Sequence, residues 1–591
     1  MSITLRTYKT TQAEGFTFRA PQMSSEGQIK TEAKVYQNPW ISIYSDTSRC
    51  ADCGAAGCFE GTEADVSIGC PFEHRIPDVH KNFQEALHVL EKYNIFEMLK
   101  KLDPHTAQKI DPATNPDDPD FVRKIVRHPI EAFAALKTKA SRLIEQAEAE
   151  FNHYMLEAYK VSEDKGPMHD LFGRICPASL CKDPCSISTS RNEAVEIPKN
   201  MTVVADYAWE AGFVKPPHPK QGERDKNILL IGSGFASLTA AYKLRQLGYG
   251  VTIVEKNAAP AEPGNNQILG YKSVHERFNR HVENLKSGGV NFVTGIAAGQ
   301  GEHSLENLKN RYNASAILIG TGVGQSKEAP LSGDAVKNTI TWDQLTGAQQ
   351  EHDRDGTSIS EDLNAKGKRV LISGTSDTAV DAGMTAALQG ATEVVFLSRR
   401  DALGVKDHSA YKNMRAVMDK NGVKFTVEKW VDAKFLDHHE GRMRLSGKHK
   451  QSGEDIAIDG DMFIHAIGNE TGDLKKQFGR ESLRTHEDGR FNPIPVLSEK
   501  KLIDPSKPDV EENTLYEAIA TKTDMMGVGA GLVDLMQDGT PILAMGDNVR
   551  RGGSLAATAG RDGLDAARWV HEEFNRKDGV QAFAEFKPNF A

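Results

Sequence analysis

NILLIGSGFASLTAAYKLRQLGYGVTIVEK, residues 227–256, reads as an apolar strand, a small-residue turn, a helix and a second apolar strand. The turn carries Gly232, Gly234 and Ser237 at the spacing of a dinucleotide-binding fingerprint. Gly232 permits the tight turn, and Gly234 lets the backbone approach a pyrophosphate held by the N–H groups of the helix N-terminus. The third position needs only a small side chain for helix–strand packing, which Ser237 supplies. Glu255 ends the second strand where an acid would meet a ribose hydroxyl. A tight turn without a ligand is the competing reading of the glycines. The strand before, the helix after and the acid at this distance favour binding.

A second unit follows at residues 368–400, KRVLISGTSDTAVDAGMTAALQGATEVVFLSRR. Gly374, Ser376 and Ala379 stand at the three small positions, with a serine where the backbone would come closest to phosphate. Asp377 is expected to cap the helix. The second strand ends in Arg399 and Arg400 rather than in an acid, and paired guanidiniums suit a 2′-phosphate. NADPH is therefore expected over NADH, against the alternative of a solvated strand end. Near the C-terminus PILAMGD, residues 541–547, is strand-like and leads to a helix ending ARWVHEEF.

Upstream the text changes. PDVHKNFQEALHVLEKYNIFEMLKKL and EAFAALKTKASRLIEQAEAEFNHYMLEAYKV carry apolar residues at helical spacing, with the Pro- and Asp-rich LDPHTAQKIDPATNPDDPDF between them expected as a loop. FVKPPHPKQGERDK reads as a linker into the first nucleotide unit. All seven cysteines fall between Cys50 and Cys185: Cys50, Cys53, Cys58 and Cys70-Pro71, then Cys176-Pro177, Cys181 and Cys185. Thiolates spaced in this way can converge on an iron cluster of four ligands, and structural zinc is the competing reading. Seven ligands do not complete two four-cysteine sites. No dithiol remains for a disulfide reductase beside the second half of the chain.

The formal net charge of −10 argues against a nucleic-acid or anionic-membrane surface. The N-terminus has no apolar signal-peptide core, and no apolar run is long enough for a membrane span. A cytoplasmic protein with reduced thiols is expected.

Together these features resemble the small (beta) subunit of NADPH-dependent glutamate synthase and the N-terminal half of dihydropyrimidine dehydrogenase. The carrying stretches are RCADCGAAGC, the CP at Cys70, RICPASLCKDPC, DYAWEAGFV, both nucleotide turns, AIG at Ala466–Gly468, and AMGDNVRRGGS followed by GRDGLDAA. The resemblance covers about residues 45–100 and 170–575. It implies an α/β chain in which an N-terminal helical iron–sulfur domain precedes two Rossmann-like nucleotide-binding domains. The corresponding bounds are an arm at 1–45, the helical domain at 46–220, a split FAD domain at 221–345 and 500–591, and an NAD(P)H domain at 346–499.

The resemblance further implies FAD on Gly232, Gly234, Ser237, Glu255, Gly546 and Asp547, and NADPH on Gly374, Ser376, Ala379, Arg399 and Arg400. One 4Fe–4S cluster would take Cys50, Cys53, Cys58 and Cys185; the other would take Cys70, Cys176 and Cys181. The family's eighth ligand is a Glu or Gln, and Met201 or Thr202 falls in its place, so one cluster has a full set and the second has three. The family's YGIP stretch is replaced by PGNNQILGYKS, and residues 102–166 form an insertion whose apolar stripe is expected to bury on its own domain. The implied activity passes electrons from NADPH through FAD and clusters to a partner protein in a hetero-oligomer. No acid–base residue is needed. A self-contained reductase of a small molecule and a redox-inactive assembly subunit are the rival readings.

Overall fold

The computed structural model describes residues 16–18, 34–36, 50, 70, 75–110, 121–185, 194–261, 268–401, 404, 408–495, 529–549 and 556–578, apart from 140, 165, 178, 196, 271 and 274. Cys53 and Cys58 lie outside the described residues, as does most of the expected N-terminal arm, of which Phe16–Phe18 pairs antiparallel with Lys34–Tyr36.

The N-terminal part is helical: α1 (Ile76–Lys92), α2 (Ile95–Leu102), α3 (Pro104–Ile110), α4 (Phe121–Lys137), α5 (Ser141–Glu163), α6 (His169–Ile175), α7 (Ser179–Lys182) and α8 (Ile197–Glu210). Apolar residues three and four apart put Val79, Phe83, Ala86, Leu87 and Leu90 of α1 against Ile144, Ala147, Phe151, Met155 and Ala158 of α5. The insertion thus buries its stripe within the helical core. Asn94, in the left-handed region at φ 52°, breaks α1 from α2. The stretch expected as a loop from Leu102 instead begins with a helix. Pro104 takes the first helical position, where its missing N–H costs nothing, and Asp103 Oδ1 accepts the Thr106 N–H at 3.1 Å. The same residue types mark loops and helix starts, and here they mark a start.

His169 opens α6 and is 3% exposed; burial pushes its imidazole down to about 4. The unfolded chain takes up this proton near pH 6.5 and the folded chain does so only near 4, so acidification through that window favours unfolding. Wild type is expected to lose about 2–3 kcal/mol more than a His169→Asn variant between pH 6.5 and 4, as denaturant titrations at both pH values will show.

Residues 213–226 lead without regular structure into the first sheet. There β1 (Asn227–Ile231), α9 (Phe235–Gln246), β2 (Gly250–Val254), α10 (His275–Ser287), β3 (Val290–Val293) and β4 (Ala314–Ile319) follow in order. The sheet order is Ile494–Pro495, Gly531–Leu535, Pro541–Ala544, β4, β1, β2, β3, parallel from Pro541–Ala544 to β3. Val/Ile/Leu-rich strands buried on both faces are what a parallel sheet requires. The chain therefore returns to this sheet near its C-terminus.

The second sheet is all parallel: Lys424–Glu428, β6 (Glu393–Leu397), β5 (Arg369–Ser373), Met462–His465 and Ile340–Thr341. Helix α11 (Trp342–Asp355) and α12 (Asp377–Gln389) pack beside it, and an antiparallel meander spans residues 431–460. Where the chain crosses between the sheets, Gln325–Ser326 pairs with Asn469–Glu470. Helix α13 (Ala556–Lys577) lies along α9. No helix among the described residues is long and apolar enough to cross a membrane.

Candidate functional site

Three chain segments meet at the carboxyl ends of neighbouring parallel strands in the first sheet. The turn after β1 places Gly232 at φ +93°, and a Cβ there would lie 2.6 Å from the Gly320 carbonyl oxygen. Only glycine allows the two turns to touch. Gly234 is the extended N-cap of α9, and no side chain caps that helix among the described residues. Its first-turn N–H groups and the positive end of its dipole are thus available to an anion.

Glu255 is buried, and its Oε2 accepts from the Ser233 N–H at 2.9 Å and hydroxyl at 2.7 Å. Its Oε1 accepts from the Asn257 N–H at 2.9 Å. The carboxylate expected to meet a ribose thus also holds the glycine turn in place. Ser237 is fully buried, and its Oγ has no hydrogen-bond partner among the described residues. A Cβ on Gly320 would come 2.7 Å from that oxygen, so the third-position serine fits because residue 320 is glycine.

The strand Pro541–Ala544 delivers Gly546 and Asp547 to the same place. Gly546 has φ +78°, and a Cβ on it would sit 3.1 Å from Ala236 Cβ. Asp547 is half-buried, and Asn548 Nδ2 donates to the Ile319 carbonyl at 3.0 Å. Gly563 of α13 approaches still closer, since its Cβ would be 1.9 Å from the Ala236 carbonyl oxygen.

The second turn repeats the device. Gly374 has φ +129°, and a Cβ there would meet the Ala466 carbonyl oxygen at 2.1 Å. Ala379 is fully buried against the sheet. Ser376 is the N-cap of α12, its Oγ 2.9 Å from Thr378 Oγ1 and not capping the helix. Asp377, expected as the cap, is instead the first helical residue, where a carboxylate still suits the positive end of the helix dipole. Arg399 and Arg400 are exposed just beyond β6. The Arg400 guanidinium folds back toward the turn, with Nη2 3.8 Å from where a Gly404 Cβ would stand; the Gly404 N–H donates to the Thr375 carbonyl at 3.0 Å.

Five cysteines fall among the described residues, none in a disulfide. Cys185 is buried in the helical core, and Cys50, Cys70 and Cys181 pack against it. Cys70 and Cys176 pack against the core of the first sheet. The donor set is all thiol, which suits iron or zinc, but no three Cys, His, Asp or Glu residues are gathered around a metal position among the described residues. The Thr202 hydroxyl donates to the Pro198 carbonyl at 2.7 Å, and Met201 is buried.

Sequence reasoning missed three groups. Gly320-Thr321-Gly322 follows β4, and a strand ending in GTG was a readable signal. Gly563 was visible only as part of a motif. Leu269 and Lys272 sit in the PGNNQILGYKS replacement, yet Leu269 is fully buried in the core of the second sheet. Lys272 Nζ donates to Asp381 of α12 at 2.7 Å, and Gln350 of α11 donates to the Ile268 carbonyl.

Residues 226–492 match the pyridine nucleotide-disulphide oxidoreductase family. The glutamate synthase (NADPH) small chain of Azospirillum brasilense is 30% identical over 70% of this chain and 80% of its own. That of Bacillus subtilis is 29% identical over 38% of this chain and 44% of its own. The NADPH-Fe(3+) oxidoreductase subunit beta of Geobacter sulfurreducens is 25% identical over 53% of this chain and 47% of its own. With two Rossmann-like turns in place and such relatives across most of its length, the chain is an NAD(P)H-dependent flavoprotein oxidoreductase and belongs to the glutamate synthase small-subunit family.

Proposed function

We propose that the chain takes electrons from NADPH, passes them through FAD to iron–sulfur centres on its N-terminal cysteines, and delivers them to a partner protein subunit in the cytoplasm. The observation that carries this reading is the repeated turn. Gly232 and Gly374 both adopt φ values above +90°, and a Cβ at either would collide with backbone, as a dinucleotide-cradling turn demands.

In this reading the uncapped first turn of α9 at Gly234, with Gly232, Ser237, Glu255, Gly546 and Asp547, holds FAD. When bound, the flavin accepts hydride and releases electrons singly. Gly374, Ser376 and Ala379 receive the second pyrophosphate, and Arg399 and Arg400 pair with a 2′-phosphate. Cys50, Cys53, Cys58 and Cys185 form one 4Fe–4S ligand set, and Cys70, Cys176 and Cys181 form a second set of three. Packing of Cys70 and Cys176 against the core of the first sheet supports placing the three-cysteine set nearer the flavin. The small-chain relatives support a hetero-oligomeric partner.

Anaerobic titration of the purified protein with NADPH and with NADH tests the reading, alongside iron and sulfide analysis. We expect NADPH to bleach the flavin band at lower concentration and electron uptake beyond the two that flavin takes. A protein that holds no flavin, or takes only two electrons, would overturn it. Arg399→Ala and Arg400→Ala are each expected to raise the NADPH Kd about 10- to 100-fold, the size of one lost charge-assisted contact, and to leave the NADH Kd unchanged.

A further inference from the structure

A buried charge cluster joins the helical part to the first sheet's unit. Asp170 on α6 and Asp206 on α8 are 1% and 5% exposed. Arg174 donates to Asp206 at 2.6 Å within the helical part. From α10, Arg277 donates to Asp206 Oδ1 at 2.6 Å, and His281 Nε2 lies 2.8 Å from Asp170 Oδ1. Arg280 pairs with Asp170 and reaches Asp206 at 3.4 Å. Its guanidinium lies 4.5 Å over the Trp209 ring, which meets His281 edge-on. Burial alone would raise the Asp170 carboxyl, but Arg280, His281 and Arg277 hold it well below its usual range.

Charges so buried are stable only when paired, and the pairs here cross between two parts of the chain. The position of the cluster gives it a role. Helix α6 ends immediately before Cys176, and α8 begins after Cys185. Arg174 and Asp206 tie these helices together, and a Cβ on Gly173 would come 2.8 Å from the Pro198 carbonyl oxygen and 2.1 Å from Thr202 Oγ1, so the two helices pack closely there. The cysteine loop 176–185 is thereby held by two helices that α10 grips through both carboxylates.

We infer that Arg277 and Arg280 are positioning residues that dock the Cys176–Cys185 loop onto the flavin-binding unit and so set the rate of electron passage between them. The rate clause rests on the function proposed above; the docking clause does not. Electron transfer falls steeply with distance, so a loosened loop slows that passage without touching hydride acceptance.

The test uses the full chain with Arg280→Gln, the double variant Arg277→Gln/Arg280→Gln, and Arg280→Lys. Amide hydrogen exchange at residues 169–175 and 275–287 reads the docking directly. We expect exchange there to quicken at least tenfold in the double variant. Stopped-flow mixing with NADPH is expected to show flavin bleaching within twofold of wild type and iron–sulfur reduction slowed at least tenfold. Arg280→Lys keeps the charge and loses the planar fork, and should recover part of both effects. Unchanged exchange, equal slowing of flavin bleaching, or loss of iron from the variants would each overturn the inference. A wild-type protein with flavin but no iron would sink the function instead, and exchange would still decide the docking.

Discussion

Gly563→Ala is expected to lose its flavin on gel filtration and to unfold several degrees below wild type. The added methyl would stand 1.9 Å from the Ala236 carbonyl oxygen, 2.7 Å from its carbonyl carbon and 3.0 Å from its Cα. These are backbone atoms of the first turn of α9, so no rotamer change relieves the clash. Helices α9 and α13 must part, and Ala236 is the residue against which Gly546 also packs. Overpacking of a rigid contact costs about 1–3 kcal/mol or more. For a unit of this size that lowers Tm by roughly 2–4 °C per kcal/mol. The same shift displaces the N–H groups of Phe235 to Ser237, the ones available to a pyrophosphate, so flavin retention falls with stability. Gly347→Ala is the matched control. That glycine lies inside α11 with nothing within 4 Å of its Cβ position, and alanine there should be neutral or stabilising by about 1 kcal/mol. Flavin absorbance and calorimetry separate the two variants, and a Gly563→Ala protein with wild-type Tm would refute the close-contact argument.

How far such contacts can be read from sequence depends on where the partner lies. The two turns were legible because strand, glycines and helix follow one another within a few residues, and positive φ leaves few choices but glycine. Helices α1 and α5 were legible from periodicity, since their apolar stripes meet each other within one core. Asp377 and the α3 segment were misread for a local reason: Asp and Pro serve caps, first turns and loops alike. Gly563 and Gly320 escaped for a distant one, because the atoms that exclude a side chain there belong to Ala236, Ser237 and Met545. The charged residues of α6, α8 and α10 carry no sequence mark of burial, since an Arg on a helix is ordinarily solvated. Asp170 and Asp206 are buried where the two units pack together.

Leu269→Ala is expected to loosen the hold of the first unit on the second. Residue 269 belongs to the chain between β2 and α10, yet its side chain is fully buried among Ile340, Trp342, Leu345 and Ala466 of the second sheet's core. A polar-looking loop thus acts as an anchor, fixed on either side by the Ile268 carbonyl bonded to Gln350 and by Lys272 paired with Asp381. Truncating a buried leucine costs about 2–5 kcal/mol, the spread reflecting how far the cavity collapses. Here collapse would draw α11 and α12 inward and shift Ser376 at the start of α12, so NADPH binding should weaken along with the unfolding midpoint. Flavin absorbance should stay as in wild type, because Gly232, Gly234 and Glu255, proposed to hold the flavin, belong to the β1–α9–β2 unit of the first sheet. Leu269→Met keeps the volume and should cost less than about 1.5 kcal/mol. Thermal denaturation followed separately by flavin fluorescence and by far-ultraviolet circular dichroism distinguishes the two. Should Leu269→Ala unfold with both signals at the wild-type midpoint, the segment is a passive loop and the two nucleotide units are held together by the Gln325–Ser326 and Asn469–Glu470 ladder instead.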